Sequence, residues 1–365
     1  MKTISKRGKK QFSKPWITRG IRKSIKVKNK LLISGDKNRY KQYRNSITRL
    51  VRISKREYLQ TYFENNMTNM KKTWDGINSL INNKRKQRKQ ISALKDDSNR
   101  GTIVNDPQKL PNIMNRHFST VGINLASKVP HSNISSEYYL NDVSVCNSFF
   151  LRPVISAEIE EEINSLSSNK TYGLYSVPTK ILKSAKYSLS VPLAQLINRS
   201  FTDAKYPSKM KNSKITAIFK SEDDTDPTNY RPISLLSVFN RIFEKLVYKR
   251  LMESIENEDL LYHGQYGFRS RHNQPNMQYK IFIDLKKAFD TVNHRILLNK
   301  QYLYGIRGLV HDWFKSCLYD RKQSTKIGDF ISEPMECGIG VPQGSVLGPL
   351  LFLLYMNDIH NVSRE

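Results

Sequence analysis

Asp284 is the residue of this sequence whose position most invites chemistry. It ends the apolar run Ile281-Phe282-Ile283, where a carboxylate costs free energy unless something positive pairs with it. A carboxylate held at a strand end suits a hard cation such as Mg²⁺, which takes oxygen ligands and substrate phosphates. The same residue could equally cap the helix that follows, and its own position does not separate the two. Other candidates for metal or nucleophilic chemistry fall away. His263, His272, His294 and His311 have no Cys or carboxylate at ligand spacing and read as surface or packing residues. Cys146, Cys317 and Cys337 are odd in number and far apart, with neither disulfide nor metal spacing, which fits a reducing compartment.

The elements that would position Asp284 can be read from apolar periodicity. KIFIDL (280–285) predicts a strand, followed at once by helical KKAFDTVNHRILLNKQYLYG. Upstream, KITAIF (214–219) predicts a strand, an acidic turn separates it from YRPISLL, and 235–255 has a helical pattern. Ser156 is placed to cap a helix with Glu158 and Glu160 to Glu162 near its positive end, and helices follow at 178–187 and 190–204. CGIGVPQGSVLGPLLFLLYMNDI reads as a strand-like entry, a Gly/Pro turn and an apolar helix. From Tyr40 to Ile81 apolar residues recur at helical spacing. This predicts one long helix after Gly35-Asp36, or two broken near Asn65-Asn66. NKRKQRK (83–89) reads as an exposed basic connector, and 96–150 as an irregular connector with one short helical patch around 107–118. Strands interleaved with helices make the fold class α+β.

The 365 residues carry 61 Lys+Arg against 32 Asp+Glu, a net charge of +29. Residues 1–95 hold 28 Lys/Arg and 4 Asp/Glu, net +24, leaving 33 against 28, net +5, for the rest. So concentrated a positive field points to polyanions, nucleic acid first, because binding releases their condensed counterions. The bland alternative is a solvated basic tail. The N-terminus has no apolar signal segment, and the longest apolar stretch, 346–356, is too short to span a bilayer. Secreted, membrane-spanning and disulfide-scaffold classes are thereby set aside, and the expected location is intracellular, nuclear and/or cytoplasmic.

An ordered set of strings carries more weight than any one of them: FKSEDDTDPTNYRPISLL, FEKLVYKRL, QYGFR, FIDLKKAFDTVNH, YGIRG with DWFKSCLYDRKQ, and GVPQGSVLGPLLFLLYMNDI. Together they resemble the reverse transcriptase, the RNA-directed DNA polymerase, of non-LTR (LINE-type, jockey-like) retrotransposons. Upstream, KPWIT, YKQYRN, MKKTWDGIN and FST-VG resemble the segment those polyproteins place ahead of the polymerase. The resemblance runs from about Lys14 to Ile359.

It implies a right-hand polymerase: a basic, mainly helical region at 1–95, a connector at 96–150, fingers at 151–275, and a partial palm at 276–365. Asp284 matches the first catalytic aspartate, which would hold two Mg²⁺ ions (Mn²⁺ as a substitute) with the backbone carbonyl of Leu285 as a further ligand. Such ions lie roughly 3.5–4 Å apart and serve the attacking and leaving oxygens. Phe289 matches the aromatic gate that crowds a ribose 2′-OH, and core packing is its other reading. Asp290 is expected to orient its surroundings. Lys220 and Arg231 match residues that contact the incoming dNTP, a polyanion that needs fixed cations. Gln343 and Gly344 match the turn beneath the nascent base pair, and Gly267, Phe268 and Arg269 a template-handling motif. The implied partners are an RNA template, a DNA primer and dNTP, without a membrane.

Three departures temper the resemblance. No F/Y-A-D-D tetrapeptide, source of the family's other metal-binding aspartate, occurs in the chain, so it is expected to be inactive by itself. Only 15 positions separate Arg269 from Asp284, where the family has a further helix. Tyr172 and Tyr175 stand where the family has Pro and Asp. The endonuclease and thumb expected on either side are also missing. The competing reading is a non-catalytic nucleic-acid-binding protein that works through 1–95. A group II intron or telomerase-like polymerase is more distant, because YRPISLL and GPLLFLLYMNDI are jockey-like.

Overall fold

The computed structural model describes residues 14–81, 90–96, 98, 101–130, 133, 135, 138–140, 145, 147–167, 173, 177–265, 267–269, 285 and 287–361. The chain divides into two compact units, 1–89 and 90–365.

In the first unit α1 (Arg19–Ile33), α2 (Lys37–Glu64) and α3 (Met70–Ile81) follow one another. Thr18 caps α1 by accepting from the Ile21 N–H, and Asp36 caps α2 by accepting from the Arg39 N–H. Each supplies an oxygen to an amide that the helix leaves unpaired. The helix over 40–81 divides at Asn65. α1 was not expected: Gly35, at φ +80°, breaks the chain as predicted, but a separate helix precedes it. Trp16 lies against Tyr58, ring centroids 6.0 Å apart, with the Lys14 and Lys55 ammonium groups 5.9 and 5.4 Å from its ring. Ile21 and Ile47 are the buried hydrophobic residues of this unit among those described.

The second unit mixes helices with a sheet. A short hairpin, β1 (Leu94–Asp96) and β2 (Thr102–Val104), leads into α4 (Leu110–Ala126). Then come α5 (Ser156–Ser165), α6 (Thr179–Ser184), α7 (Lys186–Thr202), β3 (Asn212–Phe219), β4 (Tyr230–Leu235) and α8 (Val238–Asn257). α9 (His294–Leu303), α10 (Gly308–Leu318), β5 (Lys322–Ile327), β6 (Phe330–Ile331), β7 (Met335–Glu336) and α11 (Leu347–Met356) complete it. The sheet order is β4-β3-β5-β6, with β7 also on β5; β3 runs antiparallel to β4 and parallel to β5.

Two apolar clusters hold this unit. α4 covers one face of the sheet, where Leu110, Met114 and Phe118 meet Ile215, Tyr230 and Ile327. The larger cluster joins α5, α7, α8, α9, α10 and α11. At its centre Trp313 stacks on Phe243, centroids 5.7 Å apart and planes 4° apart, with Phe201 and Tyr206 edge-on. Offset stacks and edge-on contacts are the arrangements that ring quadrupoles favour.

Three expectations are corrected. The short helical patch expected around 107–118 is a 17-residue helix, 110–126. It is held because Asn115, fully buried, donates to the Gln323 and Glu333 carbonyls and accepts from Thr325. Ser156 does not cap α5; the Glu158 carboxylate instead reaches back to the Ile155 N–H at 3.1 Å. The helix expected directly after Leu285 starts only at His294, because Lys287 is left-handed (φ 54°) and Asn293 caps the new helix. The strand expected at 280–285 falls, except for Leu285, outside the described residues. No helix among the described residues is long and apolar enough to cross a membrane.

Candidate functional site

The β3–β4 hairpin carries Lys220 and Arg231. Ile218 stands opposite Arg231, and the Lys220 N–H donates to the Asn229 carbonyl at 2.9 Å. Opposed residues share a face and side chains alternate along a strand, so Lys220, Ile218 and Arg231 lie on one face. Both cations are exposed.

The Gln343–Gly344 turn is seated on the same strand. The Ser234 N–H, three residues from Arg231, donates to the Gln343 carbonyl at 2.7 Å. Gly344 has φ +107°, and a Cβ there would lie 2.9 Å from the Ser234 carbonyl oxygen. Only glycine combines that backbone conformation with so close an approach.

Phe289 and Asp290 come from a 3-10 turn, 288–291, clamped between this turn and the hairpin. The Val341 N–H donates to the Phe289 carbonyl and the Gly340 N–H to the Val292 carbonyl, both at 2.8 Å. Gln343 Nε2 donates to Asp290 Oδ1 at 2.8 Å. On the hairpin side, Lys287 Nζ lies 3.2 Å from the Tyr230 carbonyl. His294 Nε2 bonds the Gly340 carbonyl at 2.7 Å. Burial pushes this imidazole below its usual range, so the ring is neutral near pH 7 and donates from Nε2.

Behind the turn, buried Glu244 accepts from the Val346 N–H at 2.6 Å, from Leu347 at 3.4 Å and from Asn240 Nδ2 at 2.9 Å. Its carboxylate thus meets the positive end of α11, where an anion is favourable. Burial still raises this carboxyl above the ordinary range.

The Phe289 ring stacks on Phe352 at 4.9 Å, and Phe268 meets it edge-on at 6.4 Å. This packs Phe289 against the large core cluster while bringing the 267–269 segment beside it. Phe268 is 60% exposed and left-handed at φ 59°. Gly267 accepts from Gln265 Nε2 at 3.1 Å, and Arg269 donates to the Tyr262 carbonyl at 3.3 Å.

Asp284 lies outside the described residues, and Leu285 beside it is exposed. Among the described residues, no group of three or more His, Cys, Asp or Glu comes together to hold a metal. Asp290 offers no free carboxylate, because one oxygen serves Gln343 and the other is buried. Asp358 is buried against Lys300 at 2.5 Å. The carbonyl-and-carboxylate pair at 284–285 has the oxygen chemistry that Mg²⁺ requires, and neither of these two acids competes for that role.

Sequence reasoning passed over Glu244, Ser234, Lys287 and Phe352. Glu244 had a signal, a lone acid inside the apolar helical pattern Ile242-Phe243…Leu246-Val247. Lys287 had none, since its role depends on a hairpin some 57 residues away.

Residues 218–365 match the family "Reverse transcriptase (RNA-dependent DNA polymerase)". All the candidate residues from Lys220 to Gly344 lie inside that match. The chain is similar to the probable RNA-directed DNA polymerase from transposon BS of Drosophila melanogaster, 30% identical over 233 residues, 57% of this chain and 25% of that protein. It is 28% identical over 227 residues to the probable RNA-directed DNA polymerase from transposon X-element of the same species, again 57% and 25%. To the RNA-directed DNA polymerase from mobile element jockey it is 30% identical over 191 residues, 46% of this chain and 20% of that one. The chain thus spans about a quarter of the length of the relatives it matches. Residues 218–365 thus match the reverse transcriptase family, and the chain that carries them is similar to the polymerases of jockey-like non-LTR retrotransposons.

Proposed function

We propose that this chain supplies the fingers and part of the palm for RNA-templated DNA synthesis. The observation that carries the reading is the Ser234–Gln343 bond, which seats the Gln343–Gly344 turn on the strand bearing Arg231. A dNTP lying between them meets cations on one side and a backbone-close turn on the other. Arg231 and Lys220 hold the triphosphate, with Arg231 offering two parallel N–H donors to phosphate oxygens. Phe289, stiffened by Phe352, presents its edge to the sugar and disfavours a 2′-OH. Phe268 and its neighbours guide the template. Asp284 and the Leu285 carbonyl are the residues that would hold Mg²⁺, which when bound stabilises the attacking and leaving oxygens of phosphoryl transfer. By the same reading the 365 residues bind nucleotide without turning it over, since one such aspartate cannot serve two ions and no F/Y-A-D-D tetrapeptide is present.

The test is equilibrium binding of a fluorescent 2′-deoxynucleoside triphosphate with Mg²⁺. Arg231→Ala should weaken it roughly 10- to 100-fold, the worth of one or two charge-assisted hydrogen bonds. Arg231→Lys should fall between. Unchanged affinity in Arg231→Ala would remove the site.

A second reading, nucleic-acid binding without catalysis, rests on the first unit. Residues 1–95 carry net +24, and the Lys and Arg on α1, α2 and α3 are mostly exposed. The two readings are compatible if this unit grips RNA that the second unit reads.

A further inference from the structure

A cavity of about 50 Å³ with a mixed polar and apolar wall lies behind the Gln343 turn, between α4, the sheet and the 337–342 segment. Arg321, Gln323, Asp290 and Cys337 are in its wall. Arg321 is 6% exposed and Gln323 8%. Three buried polar atoms of this wall have no hydrogen-bond partner: Arg321 Nη2, Gln323 Nε2 and Asp290 Oδ2. Buried polar groups in folded proteins are nearly always bonded, so three orphans around one cavity mark a missing occupant.

The charge argument is sharper. Arg321 donates from Nη1 to the Cys317 carbonyl at 3.1 Å but forms no ion pair among the described residues. The Tyr206 hydroxyl and the Cys317 thiol lie beside it, and burial raises both, the thiol to about 12, so neither is an anion at neutral pH. Glu244 is near enough to feel the guanidinium, yet its carboxylate is committed to α11 and Asn240. A buried guanidinium that feels one carboxylate without touching it, and keeps an unbonded N–H, is poorly compensated. Water in the cavity would satisfy the orphaned N–H groups but would give Arg321 no direct ion pair.

We propose that this cavity binds a small oxyanion, a carboxylate, bicarbonate or inorganic phosphate, through the Arg321 guanidinium and the Gln323 amide. The two donors enter from residues two apart at the start of β5 and accommodate two oxygens of one ligand. Asp290 closes the far side, and in its protonated form, which burial favours, it donates its O–H to a third oxygen. Size agrees: a water needs about 10–15 Å³ by the same measure, so the cavity takes a ligand of a few heavy atoms and excludes a nucleotide. The site shares Asp290 with the Gln343 contact but needs neither Arg231 nor Asp284, so it stands or falls apart from the nucleotide reading.

The test is the thermal midpoint of the full chain in sodium acetate, bicarbonate or phosphate against chloride at equal ionic strength, with affinities from calorimetry. At least one oxyanion should raise the midpoint saturably where chloride does not, and the responding salt identifies the ligand class. Gln323→Leu, close in volume, should weaken that oxyanion about tenfold or more, the value of a hydrogen bond to a charged group. Arg321→Gln should abolish the response; because Arg321 also holds the Cys317 carbonyl, Gln323→Leu is the deciding variant. Equal midpoints in every salt, or an undiminished response in folded Gln323→Leu, would overturn the proposal.

Discussion

Gln343 points its amide nitrogen at Asp290, Nε2 to Oδ1, 2.8 Å. This bond sets which way the amide faces: the NH₂ is turned toward Asp290, and the carbonyl oxygen is left for whatever enters the site. On the proposed reading Asp290 is a positioning residue, acting through Gln343.

Asp290→Asn keeps an acceptor for that N–H and should hold nucleotide affinity within about threefold of wild type. Asp290→Leu removes it and should cost about 1 kcal/mol or more, a factor of roughly five in affinity. Calorimetric titration with dNTP and Mg²⁺ reads this directly. Equal affinity for Asn and Leu variants of unchanged thermal midpoint would show that the bond has no bearing on nucleotide.

His294 gives a pH signature. Burial lowers its pKa below the ordinary 6.5, while its Nε2–H holds the Gly340 carbonyl. The unfolded chain therefore binds a proton below pH 6.5 that the folded chain resists, and stability falls as pH drops from about 6.5 toward the folded pKa. Above 6.5 this contribution is complete and flat. His294→Gln should lose that slope while other acid effects remain, as measured by urea unfolding at pH 5.5 and 7.5. Identical slopes in both proteins would refute the assignment.

The buried Lys300–Asp358 pair ties α9 to the residues just after α11. Lys300 also donates to the Tyr355 carbonyl at 2.7 Å and lies 5.2 Å from the Tyr355 ring. Asp358→Ala should destabilise the fold by about 3–5 kcal/mol, because it strands a buried ammonium. Combining it with Lys300→Met should recover most of that loss. Chemical denaturation of the three variants is the measurement, and an additive double variant would contradict a coupled pair.

The first unit should bind duplex nucleic acid without sequence preference. With a slope of about −0.9 per neutralised phosphate, five contacts give a log–log salt dependence near −4.5. Fluorescence anisotropy between roughly 50 and 200 mM salt reads it, and a flat response would exclude a grip by phosphate contacts.

The parts of the fold visible in sequence were those whose burial is apolar. β3, α8 and α11 show periodic Ile, Leu, Val and Phe, and all three are found within a few residues of their expected limits. β5 escaped because Gln323, Ser324 and Thr325 are polar and yet buried beneath α4. α4 was seen only as a short patch around 107–118, because buried Asn115 and the Pro111 and Gly122 within it disguise its helical period. In the candidate site, Lys220, Arg231, Gln343 and Gly344 were singled out by their neighbouring strings, and the structure places the Gln343–Gly344 turn on the strand of Arg231. Glu244 and Lys287 act on backbone groups distant in sequence, a relation that no local pattern encodes.

The anchoring of Glu244 has a mechanical corollary. A buried carboxylate bonded to the amides of Val346 and Leu347 makes the 342–347 bend a fixed jaw, since swinging it would break bonds to a charge that water cannot reach. The opposing jaw, the tip of the β3–β4 hairpin, is held at least in part by exposed groups: the Lys95–Asp223 pair, a backbone bond from Lys95 to Thr225, and Lys287 Nζ, 3.4 Å from the Thr228 carbonyl. Exposed pairs contribute little and yield to salt. On the proposed reading, an opening that admits a nucleotide would fall to the hairpin tip, whose exposed Lys95–Asp223 pair is the part that ionic strength loosens.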